Sequence, residues 1–126
     1  MKSYRPVLFV FALLIFTAPV WAHHGTAAYD ASRTFTVKGN VTDFQFVNPH
    51  VLIFFDVYDE KGSVQRWQGE LTSPNHLSRS GWNKLTLKRG DEITFTGVRA
   101  KSGAPTLWIT KVVRTDGQEI PLTPGD

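Results

Sequence analysis

The chain has 126 residues, with 14 Lys+Arg against 11 Asp+Glu and no Cys, a length that suits one domain. The missing Cys excludes disulfides, thiolate metal sites, Cys nucleophiles and a lipid-modified N-terminal Cys. The formal charge is +3, but Lys2 and Arg5 sit in a segment expected to be removed, which leaves 12 basic residues against 11 acidic ones. That balance argues against a strong electrostatic footprint for nucleic acid, and 13% aromatic residues argue against disorder.

Residues 1–22 read as a secretory signal peptide. Lys2 and Arg5 supply the positive start, and Val7–Phe16 is an unbroken apolar run. Val20 and Ala22 take the −3 and −1 positions of a cleavage site. Ten apolar residues span about 15 Å as a helix, half of a ~30 Å hydrocarbon core, so a leader is favoured over a retained anchor. The expected destination is the periplasm or the exterior, with no membrane attachment after cleavage. His23 then becomes the first residue, with a free α-amine beside its imidazole, and His24 follows.

Residues 23–33 show no apolar periodicity and are expected to form an arm ahead of a domain over 34–126. From Thr34 the pattern is that of a strand: Phe35, Val37, Gly39 and Val41 alternate, then the phase slips to Phe44 and Phe46. The slip predicts a bulge, which Gly39 would allow. Asn48-Pro49-His50 ends the run as a turn. Val51–Asp59 is a second strand and Ser63–Leu71 a third, joined by a turn at Asp59–Gly62. Ser73-Pro74 opens a short helix, with Ser as the cap and Pro at the first helical position, and Gly81 stops it. Glu92–Arg99 and Thr106–Arg114 are the fourth and fifth strands, and Glu119–Leu122 is a candidate edge strand. Three strands, a short helix and two strands, with a long bent first strand, predict an all-β fold. The expected form is a small OB-fold-like five-stranded barrel with one helix between strands three and four. Another small sandwich or SH3-like barrel is the alternative.

Several pieces together resemble a family of small exported bacterial proteins that carries only a domain-of-unknown-function label. They are Ala22-His23-His24-Gly25 with Tyr29-Asp30, Gly39-x-Val41-Thr42, Asn48-Pro49-His50, Trp67-x-x-Glu70, Ser73-Pro74-x-x-Leu77, Gly81-Trp82 and Gly90-Asp91. The resemblance implies secretion and a compact β fold. It implies no activity, so the chemistry is argued from the residues.

The four His are the first candidates. A terminal His chelates a metal through its α-amine and ring nitrogen, and a His at position two through its imidazole, the intervening amide and the amine. Cu(II) favours such nitrogen sets, and an α-amine of pKa about 7.7–8.0 yields its proton to a metal near neutral pH. His23 and His24 are therefore expected metal ligands, with His50 and His76 as candidates to complete the set. Copper is preferred, and zinc with Asp30 or Glu70 comes next. Strand parity puts His50, Glu70 and the His76 helix at one end and the start of the first strand at the other. On that reading the arm must fold back to join them, and about ten extended residues reach ~33 Å.

Trp67, Glu70, Trp82 and Asp30 are candidates for a ligand face, although core filling competes for the Trp residues and Trp82 suits a plug beneath the barrel. No nucleophile setting is recognisable, no catalytic residue is assigned, and a binding role is favoured over turnover. The expected function is metal binding, Cu(II) preferred. The alternative is a metal-free module that binds a protein or glycan partner in the periplasm.

Overall fold

The computed structural model describes residues 25–125. A 3-10 turn at Gly25–Ala28 leads into β1 (Tyr29–Gln45), followed by β2 (Leu52–Tyr58), β3 (Val64–Glu70), a short helix α1 (Pro74–Ser78), β4 (Glu92–Ala100) and β5 (Thr106–Arg114). The chain is mostly β, with one five-stranded sheet and a single short helix among the described residues.

Pairing runs β1-β2-β3-β5-β4. All pairs are antiparallel except β3 with β5, and β1 also pairs with β4. A strand of 17 residues can serve two neighbours because it uses different stretches for each. Thr34–Asn40 face β4, and Asn40–Gln45 face β2. The parallel pair is short and offset: the last residues of β3 (Gln68, Gly69, Glu70) lie beside the first of β5 (Thr106, Leu107, Trp108). Stagger of this kind accompanies the tilt of strands in a sheet that curls back on itself.

Two expectations about β1 change. The strand begins at Tyr29, ahead of the alternation that starts at Thr34. Its register against β4 shifts between Tyr29↔Ala100 and Thr34↔Val98, so Asp30–Arg33 form an excursion with no alternation to detect. The phase slip is real, but the register shift against β2 falls between Val41 and Asp43, away from Gly39. Gly39 serves close packing instead: a Cβ there would collide with the Phe55 ring. The candidate edge strand at Glu119–Leu122 reduces to one bridge, Val113↔Glu119.

The alternating inward residues make the core. Val41, Ile53, Phe55, Ile93, Phe95, Leu107 and Val112 are almost wholly buried, and the Phe55 and Phe95 rings stack at 4.4 Å. Burying each such side chain contributes roughly 1.5–3 kcal/mol. Ser73 caps α1 as expected, accepting the His76 N–H at 3.3 Å with Pro74 following, and Gly81 leaves the helix at φ +87°. Trp67 and Trp82 do not form an exposed face, because both are core residues, 3% and 2% exposed. Trp67 stacks on Phe35 at 5.3 Å. Trp82 tilts against Phe44 and donates its indole N–H to the Pro121 carbonyl at 2.6 Å, so its one polar atom is satisfied under the sheet.

Candidate functional site

His50 and Glu70 meet because the β2–β3 ladder fixes both of their positions. Leu52 pairs with Glu70. The ladder then runs past the ends of both strands, with Leu71 N–H donating to Val51 O at 2.9 Å and Val51 N–H to Thr72 O at 3.1 Å. His50, two residues before Leu52 on the same face, is thereby set diagonally beside Glu70. It follows directly on the cis Asn48–Pro49 peptide. Its Nδ1 is hydrogen-bonded to Glu70 Oε1.

The second Glu70 oxygen is taken from an unexpected direction. Tyr29 donates its hydroxyl to Oε2 at 2.7 Å. Tyr29 pairs with Ala100 at the end of β4, and Lys101 N–H donates to Ala28 O at 2.9 Å, so the entry to β1 is fastened there. The end of β4 lies beside the start of β5 (Arg99↔Leu107), and the start of β5 lies beside the end of β3 (Glu70↔Trp108). The start of β1 is thus at the same place as Glu70 and His50. Strand parity alone would set it at the opposite end, but the strands are staggered and their ends do not lie in two planes.

Trp108 completes the group. Its ring meets His50 edge-on at 5.5 Å and Tyr29 at 6.0 Å. Tyr29 is buried, whereas the side chains of His50 and Glu70 remain 30% and 21% exposed. Burial, followed by the hydrogen bond to Glu70 and the charge of its carboxylate, pushes the Tyr29 phenol well above its ordinary pKa. It therefore stays protonated and remains a donor to the carboxylate at physiological pH.

These contacts define what the group can do. A carboxylate accepting at Nδ1 selects the tautomer with the proton on that nitrogen, which leaves the Nε2 lone pair available. Nε2 makes no hydrogen bond among the described residues. An imidazole oriented by a carboxylate on one nitrogen and open on the other is the arrangement found behind metal-ligating histidines. Tyr29 fixes the carboxylate in turn.

The other candidates fall elsewhere. His23 and His24 lie outside the described residues. His76 is on α1 and does not join His50 and Glu70, since the described residues contain no cluster of three or more His, Cys, Asp or Glu. Asp30 is half-buried and turned to its own loop. Hydrogen bonds from the Ser32 hydroxyl and amide, with the Arg33 charge nearby, lower its pKa. Tyr29 carries no chemical role in the sequence reading. Tyr29 is 41 residues from Glu70, and no local spacing connects them.

No curated protein matches this chain. Among solved structures, 29 chains match. One is the crystal structure of the ZRD-deleted mutant of TiaS in complex with agmatine, at 20% identity and a TM-score of 0.45, covering 76% of this chain and 26% of that one. The present chain therefore spans about a quarter of that protein's length. Residues 12–108 match the DUF6152 family, a stretch that contains Tyr29, His50, Glu70 and Trp108 as well as His23 and His24. The chain belongs to DUF6152, a family of unknown function.

Proposed function

We propose that this is an exported bacterial protein that binds Cu(II) through His23, its α-amine and His24, with His50 Nε2 as a further ligand. In this reading residues 1–22 are a cleaved signal peptide, the mature protein works in the periplasm or outside the cell, and the sheet is an OB-like barrel. Glu70 and Tyr29 do not bind the ion themselves. Glu70 holds the His50 ring, and Tyr29 holds Glu70.

One observation supports the reading above all: the Tyr29–Glu70–His50 contact puts the entry to β1 beside an imidazole with a free nitrogen. His24 is five residues before Tyr29, with the 3-10 turn Gly25–Ala28 between them, and five residues at a 3-10 rise of about 2 Å each cover roughly 10 Å, so no long fold-back of the arm is needed. Nitrogen donors of this kind suit Cu(II), which tops the divalent affinity order. The role is metal binding and handling, since nothing else in the group acts as a nucleophile.

The test begins with N-terminal sequencing and mass measurement of the exported protein, followed by Cu(II) titration of that species. The expected result is one tight equivalent, with electron paramagnetic resonance showing nitrogen couplings that decrease in number in His50→Ala. The His23→Ala variant should lose tight binding. Equal, weak binding in wild type and His23→Ala would instead favour the metal-free module.

A further inference from the structure

The excursion Asp30–Arg33 and the loop after β4 enclose a cleft of about 340 Å³, within the size range of small-ligand sites. It lies apart from the His50–Glu70 pair. Arg33, Arg99 and Lys101 line it together with Phe35 and a single carboxylate, Asp30. Asp30 is already engaged by Ser32 and by Arg33 at 3.5 Å. Three cations against one anion leave a local excess of two positive charges on a chain that is otherwise nearly balanced.

Arg99 is the unusual member. It occupies an inward position of β4, in phase with Ile93, Phe95 and Gly97. Its guanidinium carbon sits 4.9 Å from the centroids of both the Phe35 and Trp67 rings. The rings hold the group in place but do not neutralise it. Its one hydrogen bond is from Nη2 to the Gly103 carbonyl at 3.3 Å, and Nε is buried without a partner. No carboxylate lies within ion-pair distance of Arg99 among the described residues. A half-buried planar fork with no counter-ion, facing a cleft with two further cations, suits an oxyanion that accepts two hydrogen bonds at once.

We propose that this cleft binds a phosphate group, either as a free phosphate monoester or as a monoester headgroup. The excess of two charges matches a dianion better than a single carboxylate. Arg99 supplies the fork on the aromatic floor, and Arg33 and Lys101 close over the anion from the two walls. This assignment does not depend on copper binding.

Inorganic phosphate is the first probe, titrated into the protein at pH ~8, where it, like a monoester, is largely dianionic, and followed by backbone amide shifts. The expected result is saturable change at Phe35, Gly103 and their neighbours, with Kd of roughly millimolar. Chloride at matched ionic strength should leave these amides unmoved. Arg33 and Lys101 are exposed, so the double variant Arg33→Gln/Lys101→Gln should melt like wild type yet bind about tenfold more weakly. Arg99→Lys keeps the charge but removes the fork, and should weaken binding as well. Glycerol 3-phosphate and vesicles containing phosphatidic acid then separate the sources: saturation by the soluble ester assigns the free ligand, and co-sedimentation without such saturation assigns the headgroup. Absent saturation by phosphate, equal shifts with chloride, or unchanged affinity in the double variant would overturn the proposal.

Discussion

The Tyr29 hydroxyl and the Glu70 carboxylate are 41 residues apart along the chain and 2.7 Å apart in space. That one bond ties the entry of β1 to the exit of β3 and leaves Glu70 with both oxygens occupied, the other by His50. It is the joint on which both the stability of this corner and the orientation of the imidazole depend.

Removing the hydroxyl tests the joint directly. Tyr29→Phe keeps the ring against Trp108 and deletes only the donor. The expected loss is about 1.5–3 kcal/mol, the range for a hydrogen bond to a charged group. Urea unfolding followed by fluorescence reads it as a lower midpoint at unchanged slope. A midpoint equal to wild type would show that the bond contributes nothing.

The same phenol makes stability depend on alkaline pH. Its pKa in the folded protein is raised above the ordinary phenol value of 10.0. The unfolded chain therefore loses the proton first, and between that value and the raised one the unfolded state binds fewer protons. Stability falls with rising pH in that window and is unaffected by this group below it. Thermal melts from neutral to strongly alkaline pH should show Tm dropping above pH ~10, with a shallower drop in Tyr29→Phe.

The orienting role of Glu70 predicts a separation between metal affinity and fold. Glu70→Gln retains the shape but weakens the hold on His50 Nδ1. Cu(II) affinity should fall roughly 10–100-fold, the usual cost of losing a partner behind a ligating His, and binding should persist at one equivalent. His76→Ala should leave Cu(II) affinity unchanged, because His76 is not part of the group. Competition against a calibrated chelator measures both. A Glu70→Gln variant with wild-type affinity would leave the carboxylate without the role assigned to it.

Trp82 provides a test of the core. It is 2% exposed, packs on Phe44 and satisfies its indole on Pro121. Trp82→Ala should cost about 3–5 kcal/mol through the cavity it leaves. Trp82→Phe should cost less but still leave the Pro121 carbonyl short of a donor. Denaturant unfolding separates the two, and near-equal midpoints for the variants would show that the lost ring volume is refilled by collapse around Phe44.

Local chemistry made much of this fold readable in advance. Ser73 and Pro74 begin a helix and Gly81 ends it because caps, a fixed φ and an allowed positive φ act within a few residues. Alternation locates β2–β5 because one face of each strand is buried. Where alternation breaks, as at Asp30–Arg33, the strand could not be seen. Gly39 is ambiguous for a related reason: a glycine demanded by the Phe55 ring looks, in the chain alone, like one demanded by a bend. Trp67 as a core residue or a ligand face is likewise undecidable until its partners Phe35 and Arg99 are known.

The residue types of the candidate site, the caps, the turns and the strand order are written in the amino-acid order, because each depends on neighbours a few positions away. The company that His50 keeps is not. It depends on a three-residue parallel pairing in which the end of β3 slides alongside the start of β5. That offset is set by how five twisted strands share one core, a property of the whole sheet that no short stretch of chain encodes.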